Sequence, residues 1–306
     1  MSRLRIAVLG GTGFVGSSLC ERLAMAGHEV RVLTRHRERH RELLVLPTAQ
    51  VIEADVHNPV VLKREFQGMD VVVNLVGILN ESGRGGKGFE RAHAELPAKV
   101  VQACRQSGVT RLLHMSALHA SPDGPSHYLR SKGRGEQIVQ EAESHTLHVT
   151  SFRPSVIFGP RDSFTNRFAG LLRQVPFVFP LACASARLQP VYVADVVQAF
   201  VLALERRATF GKRYNLCGPQ IYCLREIVAY LARQLGLKRH ILPLNDTLSY
   251  LQAAVLQFAP GKPFTPDNYR SLHVASVCEA PFPVIFGITP SRFDEIVPTY
   301  IPYVNS

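Results

Sequence analysis

The chain has 306 residues, 46% of them hydrophobic, and a formal net charge of +11, long enough for one large α/β domain or one and a half. No apolar run approaches the roughly 18 residues that would cross a bilayer, and the six cysteines, at 20, 104, 183, 217, 223 and 278, show no CxxC or metal-ligand spacing, so they read as small core residues of a reducing compartment with no metal centre. The five arginines of "RVLTRHRERHRE" (31–42) stand in no zinc-finger, RRM or basic-zipper context, so the excess charge reads as a solvated face or a phosphate site and no nucleic-acid partner is expected.

The apolar run over residues 4–9 predicts a first strand, and "LGGTGFVG" (9–16) follows it directly. A strand, a glycine turn and a helix form the setting in which free backbone N–H groups and the helix dipole meet a phosphate. Gly10 would make the tight turn, Gly13 would let the backbone approach a pyrophosphate, and Gly16 would let the new helix pack on the strand. Val15, Leu19 and Leu23 recur at four-residue spacing and Gly27 marks the helix stop. The motif lies within ten residues of Met1, leaving no room for a leader of about 15 to 30 residues. A cytoplasmic protein is expected, at most peripheral to the inner face of a membrane.

The second strand is predicted at 29–34 and ends in Thr34-Arg35. An acidic residue at this place would take the ribose 2′-hydroxyl of NAD, whereas an arginine can clamp a 2′-phosphate, which favours NADP(H). Further strands are predicted at 50–53, 70–76, 110–116 and 147–153, alternating with helices at 14–26, 36–45, 59–67, 89–107 and 126–144. This alternation predicts a doubly wound parallel sheet of Rossmann type. Pro97 should kink the helix at 89–107 or mark a first turn, and "NESGRGGKG" (80–88) reads as a flexible loop. Asp55, just past the third strand, is placed to accept from an adenine amino group with Val56 against the ring. "NLVGI" (74–78) closes the fourth strand with Gly77, which permits close approach of a cofactor.

Ser116 ends the fifth strand, and Tyr128 and Lys132 stand in Y-x-x-x-K spacing, one turn apart on one helix face. An ammonium near a phenol favours the phenolate and lowers its pKa from about 10, so the tyrosine is expected to pass protons near neutral pH. Ser116 would bond the same substrate oxygen. From about residue 158 the rhythm loosens, and the expected division is a dinucleotide-binding domain at 1–157 and a smaller C-terminal substrate lobe at 158–306. "LQPVYVADVVQAFVLALE" (188–205) and "RYNLCGP" (213–219) are expected to return to the sheet. In that lobe Leu248, Leu251, Val255 and Phe258 recur at helical spacing, a stripe that by default is core. "FVFPLACA" (177–184) and "APFPVIFGI" (280–288) are also apolar, and the shortage of polar groups in these segments points to a lipophilic substrate.

The chain resembles the short-chain dehydrogenase/reductase superfamily, in its extended or atypical branch, through GGTGFVG, Asp55, NLVG, the Ser116-Tyr128-Lys132 set, RPSVIFGP and PVYVADVVQA. "HMSALHA", "HYLRSKGRGE", "FRPSVIFGPRD" and "LQPVYVADV" are similar to the group of the nucleotide-binding accessory subunit of mitochondrial complex I and its bacterial relatives. The resemblance implies an oxidoreductase with Ser116, Tyr128 and Lys132 as catalytic residues, working on a carbonyl or alcohol of a quinone- or isoprenoid-related substrate. Its cofactor set would be Gly10, Thr12, Gly13, Phe14, Val15, Gly16, Arg35, Asp55, Val56, Val76, Gly77, Lys132 and Pro154. It implies two alternatives: an NADPH-bound scaffold or assembly factor of a respiratory or quinone-biosynthesis complex, and a sugar-nucleotide epimerase or dehydratase. The expected partners are accordingly a small molecule and, second, a membrane surface or respiratory complex. The chain departs from many extended members in carrying His93 where they have an asparagine. Only twelve positions separate Ser116 from Tyr128, shorter than sugar-nucleotide epimerases usually have.

Overall fold

A computed structural model describes residues 3–81, 83 and 85–303. Six parallel strands, β1 (Arg5–Leu9), β2 (Glu29–Thr34), β3 (Ala49–Glu53), β4 (Val71–Asn74), β5 (Arg111–Met115) and β6 (His148–Pro154), lie in the order β6-β5-β4-β1-β2-β3, with the strand Lys212–Leu216 at the edge beside β6. The fold is therefore the α/β, Rossmann-type parallel sheet expected from the alternation. Between β1 and β4 the order reverses, which puts the glycine turn after β1 and the "NLVG" end of β4 side by side at the carboxyl edge, where open sheets bind ligands. Every residue of β4 and β5 is buried, as parallel strands covered on both faces require. Leu9, Leu62, Phe66, Val72, Leu96, Val100, Leu112 and Val149 form one continuous core there.

The helix Phe14–Met25 buries Leu19, Cys20 and Leu23. The helix expected at 36–45 is broken into a 3-10 turn, Arg37–Arg39, and a short helix, Arg41–Leu44, in which Leu43 alone is buried. A run of arginines and histidines has too little apolar face to hold a longer helix against the sheet. Asn58 caps the helix Pro59–Phe66 by accepting from Val60 N–H at 3.0 Å, with Pro59 in the first turn, where its missing N–H costs nothing. Lys87–Glu90, a π turn at Arg91–Glu95 and Leu96–Ser107 run on without a break. Pro97 cannot donate to the carbonyl of His93, four residues back, and the wide turn lies at that gap. The loop expected at 80–88 falls partly outside the described residues. In its described part the Glu81 carboxylate accepts from Gly86 and Gly88 N–H at 2.8 and 2.9 Å.

Two compact units divide the chain, residues 1–153 with 196–214 and residues 154–195 with 215–306. The second has its own core of Phe158, Leu172, Leu188, Ile227, Leu231, Phe293 and Val297. Its strands come in three pairs: Ile157–Phe158 with Val191–Tyr192, Arg187–Leu188 with Tyr222–Cys223, and Val178–Leu181 with His240–Pro243.

Two expectations fail in this unit. Cys217 and Cys278 form a disulfide, 61 residues apart in sequence, while Cys20, Cys104, Cys183 and Cys223 stay free. No local spacing announces the pair. Gln189 joins the two segments by donating to Gly218 O at 2.7 Å and accepting from Cys278 N–H at 2.9 Å. The stripe Leu248, Leu251, Val255 and Phe258 is exposed instead of core. Its helix, Asp246–Leu256, buries only Ser249 and Ala253, on the other side.

Candidate functional site

The helix Phe14–Met25 begins at Gly13, with no side-chain cap and no acidic residue in its first turn, so its dipole and leading N–H groups are set for an anion. Gly10 has φ +75°, and a Cβ there would stand 3.0 Å from the backbone of Leu75 and Val76 at the end of β4. A Cβ on Gly16 would lie 2.1 Å from Gly10 O. Only glycine fits either place. Thr12, Phe14 and Val15 are half-buried around this turn, Val76 is half-buried and Gly77 exposed past β4. At the far side of the sheet Arg35 is exposed past β2, Asp55 is exposed past β3 and Val56 is buried. The Asp55 carboxylate accepts from His57 N–H at 2.9 Å, a turn that leaves its second oxygen for a ligand. Pro154 closes β6 and is buried. These bare backbones, with carboxylate and guanidinium beyond them, suit an extended dinucleotide.

Ser126 caps the helix His127–Gln140 by accepting from Leu129 N–H at 3.1 Å, and the helix sets Tyr128, Lys132 and Glu136 along one face. Two glycines in it were not anticipated. A Cβ on Gly133 would stand 2.3 Å from the backbone of Ser121, and one on Gly135 would stand 1.7 Å from His93 O, the carbonyl to which Pro97 has no N–H to donate. Their bareness lets the helix lie close enough for Lys132 to reach Met115 O at the end of β5, at 3.0 Å. The same ammonium lies 3.2 Å from where a side chain on Gly77 would begin. Burial pushes the Lys132 amine down to about 8, against the opposing pull of Glu136.

Tyr128 packs edge-on to His93 and Phe89, with ring centroids 5.5 and 6.1 Å away. Its phenol differs from the expectation: burial pushes it up to about 12, since desolvation disfavours the phenolate. Ser116 is buried, and its hydroxyl donates to Glu136 Oε2 at 2.6 Å. Glu136 is itself held by Arg153 Nε at 2.8 Å and Arg213 Nε at 2.9 Å. With its proton engaged by Glu136, Ser116 Oγ is left as an acceptor for a substrate hydroxyl. Glu136 was missed because a charge four residues after a lysine reads as a solvated pair; β6 and the edge strand supply the arginines that bury it.

His93 is buried and bonded at both ring nitrogens. Ile78 N–H donates to its Nε2 at 3.0 Å, so Nδ1 carries the proton and donates to Ser131 Oγ at 2.9 Å, which in turn donates to Tyr128 O at 3.0 Å. Burial, with the nearby Lys132 charge, pushes its imidazole down to about 2, so it is a neutral strut between the end of β4 and the helix His127–Gln140. Behind it His114 is buried with Nδ1 3.3 Å from Asn74 Nδ2. No His/Cys/Asp/Glu cluster able to hold a metal occurs among the described residues.

Residues 6–217 match the model of the NAD dependent epimerase/dehydratase family. The chain belongs to this family. Its members bind a nicotinamide dinucleotide, which the glycine turn and the Lys132 position fit. The chain is 30% identical over 296 residues to a mouse protein named NADH dehydrogenase [ubiquinone] 1 alpha subcomplex subunit 9, mitochondrial, covering 94% of this chain and 77% of that one. A ceramide reductase of Caulobacter vibrioides is 30% identical over 245 residues, 79% of this chain and 74% of its own. A nucleoside-diphosphate-sugar epimerase from Staphylococcus aureus superposes with a TM-score of 0.72 at 17% identity, covering 94% of this chain and 98% of that one, a likeness of fold. No helix among the described residues is long and apolar enough to cross a membrane.

Proposed function

We propose that the protein is an NADP(H)-dependent oxidoreductase that reduces a carbonyl, or oxidises an alcohol, on a lipophilic substrate. The observation that carries this reading is the Lys132 ammonium beside both Gly77 and Met115 O, one turn from Tyr128. A cation at the carboxyl edge of the sheet supports a site there for a ribose and a reacting oxygen. The bound nicotinamide would supply the hydride. Tyr128, protonated through the physiological range, donates its proton to the substrate oxygen; Lys132 stabilises the phenolate that results, and Ser116 Oγ accepts from the O–H of the alcohol. The resemblance to a ceramide reductase supports a lipophilic carbonyl compound. Arg35 past β2 supports NADP(H) over NAD(H).

The test follows NADPH oxidation against ketones of increasing chain length, with the wild type and Tyr128→Phe. Turnover that grows with chain length and is lost in the variant, with NADPH affinity kept, is the expected result; NADPH binding without turnover of any ketone overturns the assignment. A second reading, a dinucleotide-bound scaffold of a respiratory assembly, is favoured by the 94% coverage of this chain in the match to a protein named as an NADH dehydrogenase subunit. Cells lacking the protein separate the two, since Tyr128→Phe rescues a scaffold and fails to rescue an enzyme.

A further inference from the structure

Residues 247–260 contain no charged side chain, yet most of the helix Asp246–Leu256 faces solvent. Its outer face is Leu248, Leu251, Val255 and, just beyond, Phe258, the last two 61% and 71% exposed. A helix that merely bounds a soluble unit carries charges on that face. The apolar surface continues past the helix. Gln252 Nε2 donates to Pro180 O at 3.2 Å, which fastens the helix to the strand pair Val178–Leu181 and His240–Pro243, where Phe177, Val178 and Leu242 are also exposed. All of these residues belong to one unit.

Cations flank this surface at the Phe177 end. The carbonyl of Phe177 accepts from His240 N–H at 2.8 Å, which brings Lys238 and Arg239 beside it. Arg239 donates through Nε to Leu172 O at 3.0 Å, next to Arg173. Arg173 and Lys238 are exposed, and none of Arg173, Lys238 and Arg239 pairs with a carboxylate among the described residues. The acid at the start of the helix, Asp246, is occupied by Tyr269 Oη at 2.6 Å and His273 Nε2 at 3.0 Å.

We propose that this face, the outer side of the helix Asp246–Leu256 with Phe177, Val178 and Leu242, docks the protein on the surface of an anionic lipid bilayer. An uncharged apolar helix lying in the headgroup region beside unpaired cations has the two elements that reversible attachment needs, since neither apolar insertion nor charge alone holds a soluble protein firmly. A second copy of the chain is a poorer occupant. It would cover the apolar face, but it brings the same cations and another net charge of +11, with nothing to answer the charge. Attachment is independent of the reaction proposed above and would hold for an enzyme or a scaffold.

The experiment sediments the full chain with vesicles of phosphatidylcholine alone or mixed with phosphatidylglycerol, at low and high salt. Expected are binding to the mixed vesicles at low salt, binding weaker by about ten-fold or more on phosphatidylcholine alone or at high salt, and a loss of about ten-fold or more in Val255→Ser/Phe258→Ser. Both substitutions are at exposed positions, and unchanged circular dichroism and NADPH affinity check that the variant folds. No binding at low salt overturns the proposal. So does equal binding to both vesicle types, binding indifferent to the double substitution, or a solution dimer that the double substitution converts to monomer while vesicles go unbound.

Discussion

The Ser116 hydroxyl donates to the Glu136 carboxylate at 2.6 Å, and the same carboxylate holds Arg153 and Arg213. A serine at the end of β5 is thereby fixed in rotamer and in proton direction before any substrate arrives. The carboxylate also opposes the desolvation that depresses Lys132, so one buried charge orients Ser116 and favours the charged form of Lys132.

Glu136→Gln keeps the shape of the side chain and removes its charge. Two partly exposed guanidiniums then lose their counter-ion, at an expected cost of about 1 to 3 kcal/mol in urea unfolding. Lys132 should lose its proton at still lower pH, moving the alkaline limb of the activity profile downward. An unchanged profile with lowered stability would restrict Glu136 to a structural role.

Lys132 makes stability depend on pH in a specific direction. Its amine is pushed from 10.5 down to about 8 by burial, so in the interval between those values the unfolded chain binds a proton that the folded chain does not. Stability should therefore rise with pH from about 8 to about 10.5, by roughly 3 kcal/mol for this group, whereas below pH 8 the cost of the buried cation is fully present. Lys132→Met should lack that rise, which then appears in full as the difference between wild type and variant, as followed by denaturant midpoints at several pH values. In a carbonyl reduction kcat/KM should fall as Lys132 loses its proton near pH 8, while Tyr128, at about 12, stays protonated.

The glycine turn, the order of strands and helices and the Tyr128–Lys132 pair were legible because each is a local pattern: a backbone that must be bare, a period of two or of 3.6, a spacing of one turn. What was not legible depends on elements brought together from far along the chain. The Tyr128 phenol rises instead of falling because packing against it from other elements desolvates it, which spacing cannot reveal. His93 becomes a strut only because Ile78 and Ser131 arrive on either side of it. The Leu248 stripe has the period of a core helix, and periodicity alone cannot tell a face turned to the core from one turned outward.

Arg35 sits exposed at the end of β2, next to the strand that ends in Glu53. Charge-assisted hydrogen bonds to a 2′-phosphate are worth about 1.5 to 3 kcal/mol each, so Arg35→Asp should weaken NADPH by about 10- to 100-fold and leave NADH nearly unchanged. Fluorescence titration with both reduced cofactors checks this. Equal losses for the two would remove the 2′-phosphate assignment.

Two glycines on helices should respond in opposite directions to alanine. Gly170, in Thr165–Gln174, has nothing within 4 Å of a new Cβ and no positive φ, so Gly170→Ala should stabilise by about 0.5 to 1 kcal/mol. Gly135→Ala sets a methyl 1.7 Å from His93 O and must push the Tyr128–Lys132 helix off the π turn, with a loss of stability above about 3 kcal/mol and of NADPH binding through Lys132.

The Cys217–Cys278 bond closes a span of 61 residues. Chain-entropy reasoning assigns such a cross-link about 4 kcal/mol through restriction of the unfolded state. Cys217→Ser/Cys278→Ser, or reduction of the wild type, should therefore lower the denaturant midpoint. Because Gln189 also joins Gly218 to Cys278, the double serine variant should still fold at low temperature. The thiol count is a direct check: protein unfolded without reductant should titrate four thiols, the number free in the structure, and two more after reduction. Six thiols without reductant would mean that the pair does not form in the isolated protein, and the stability difference between the serine variant and the wild type should then vanish.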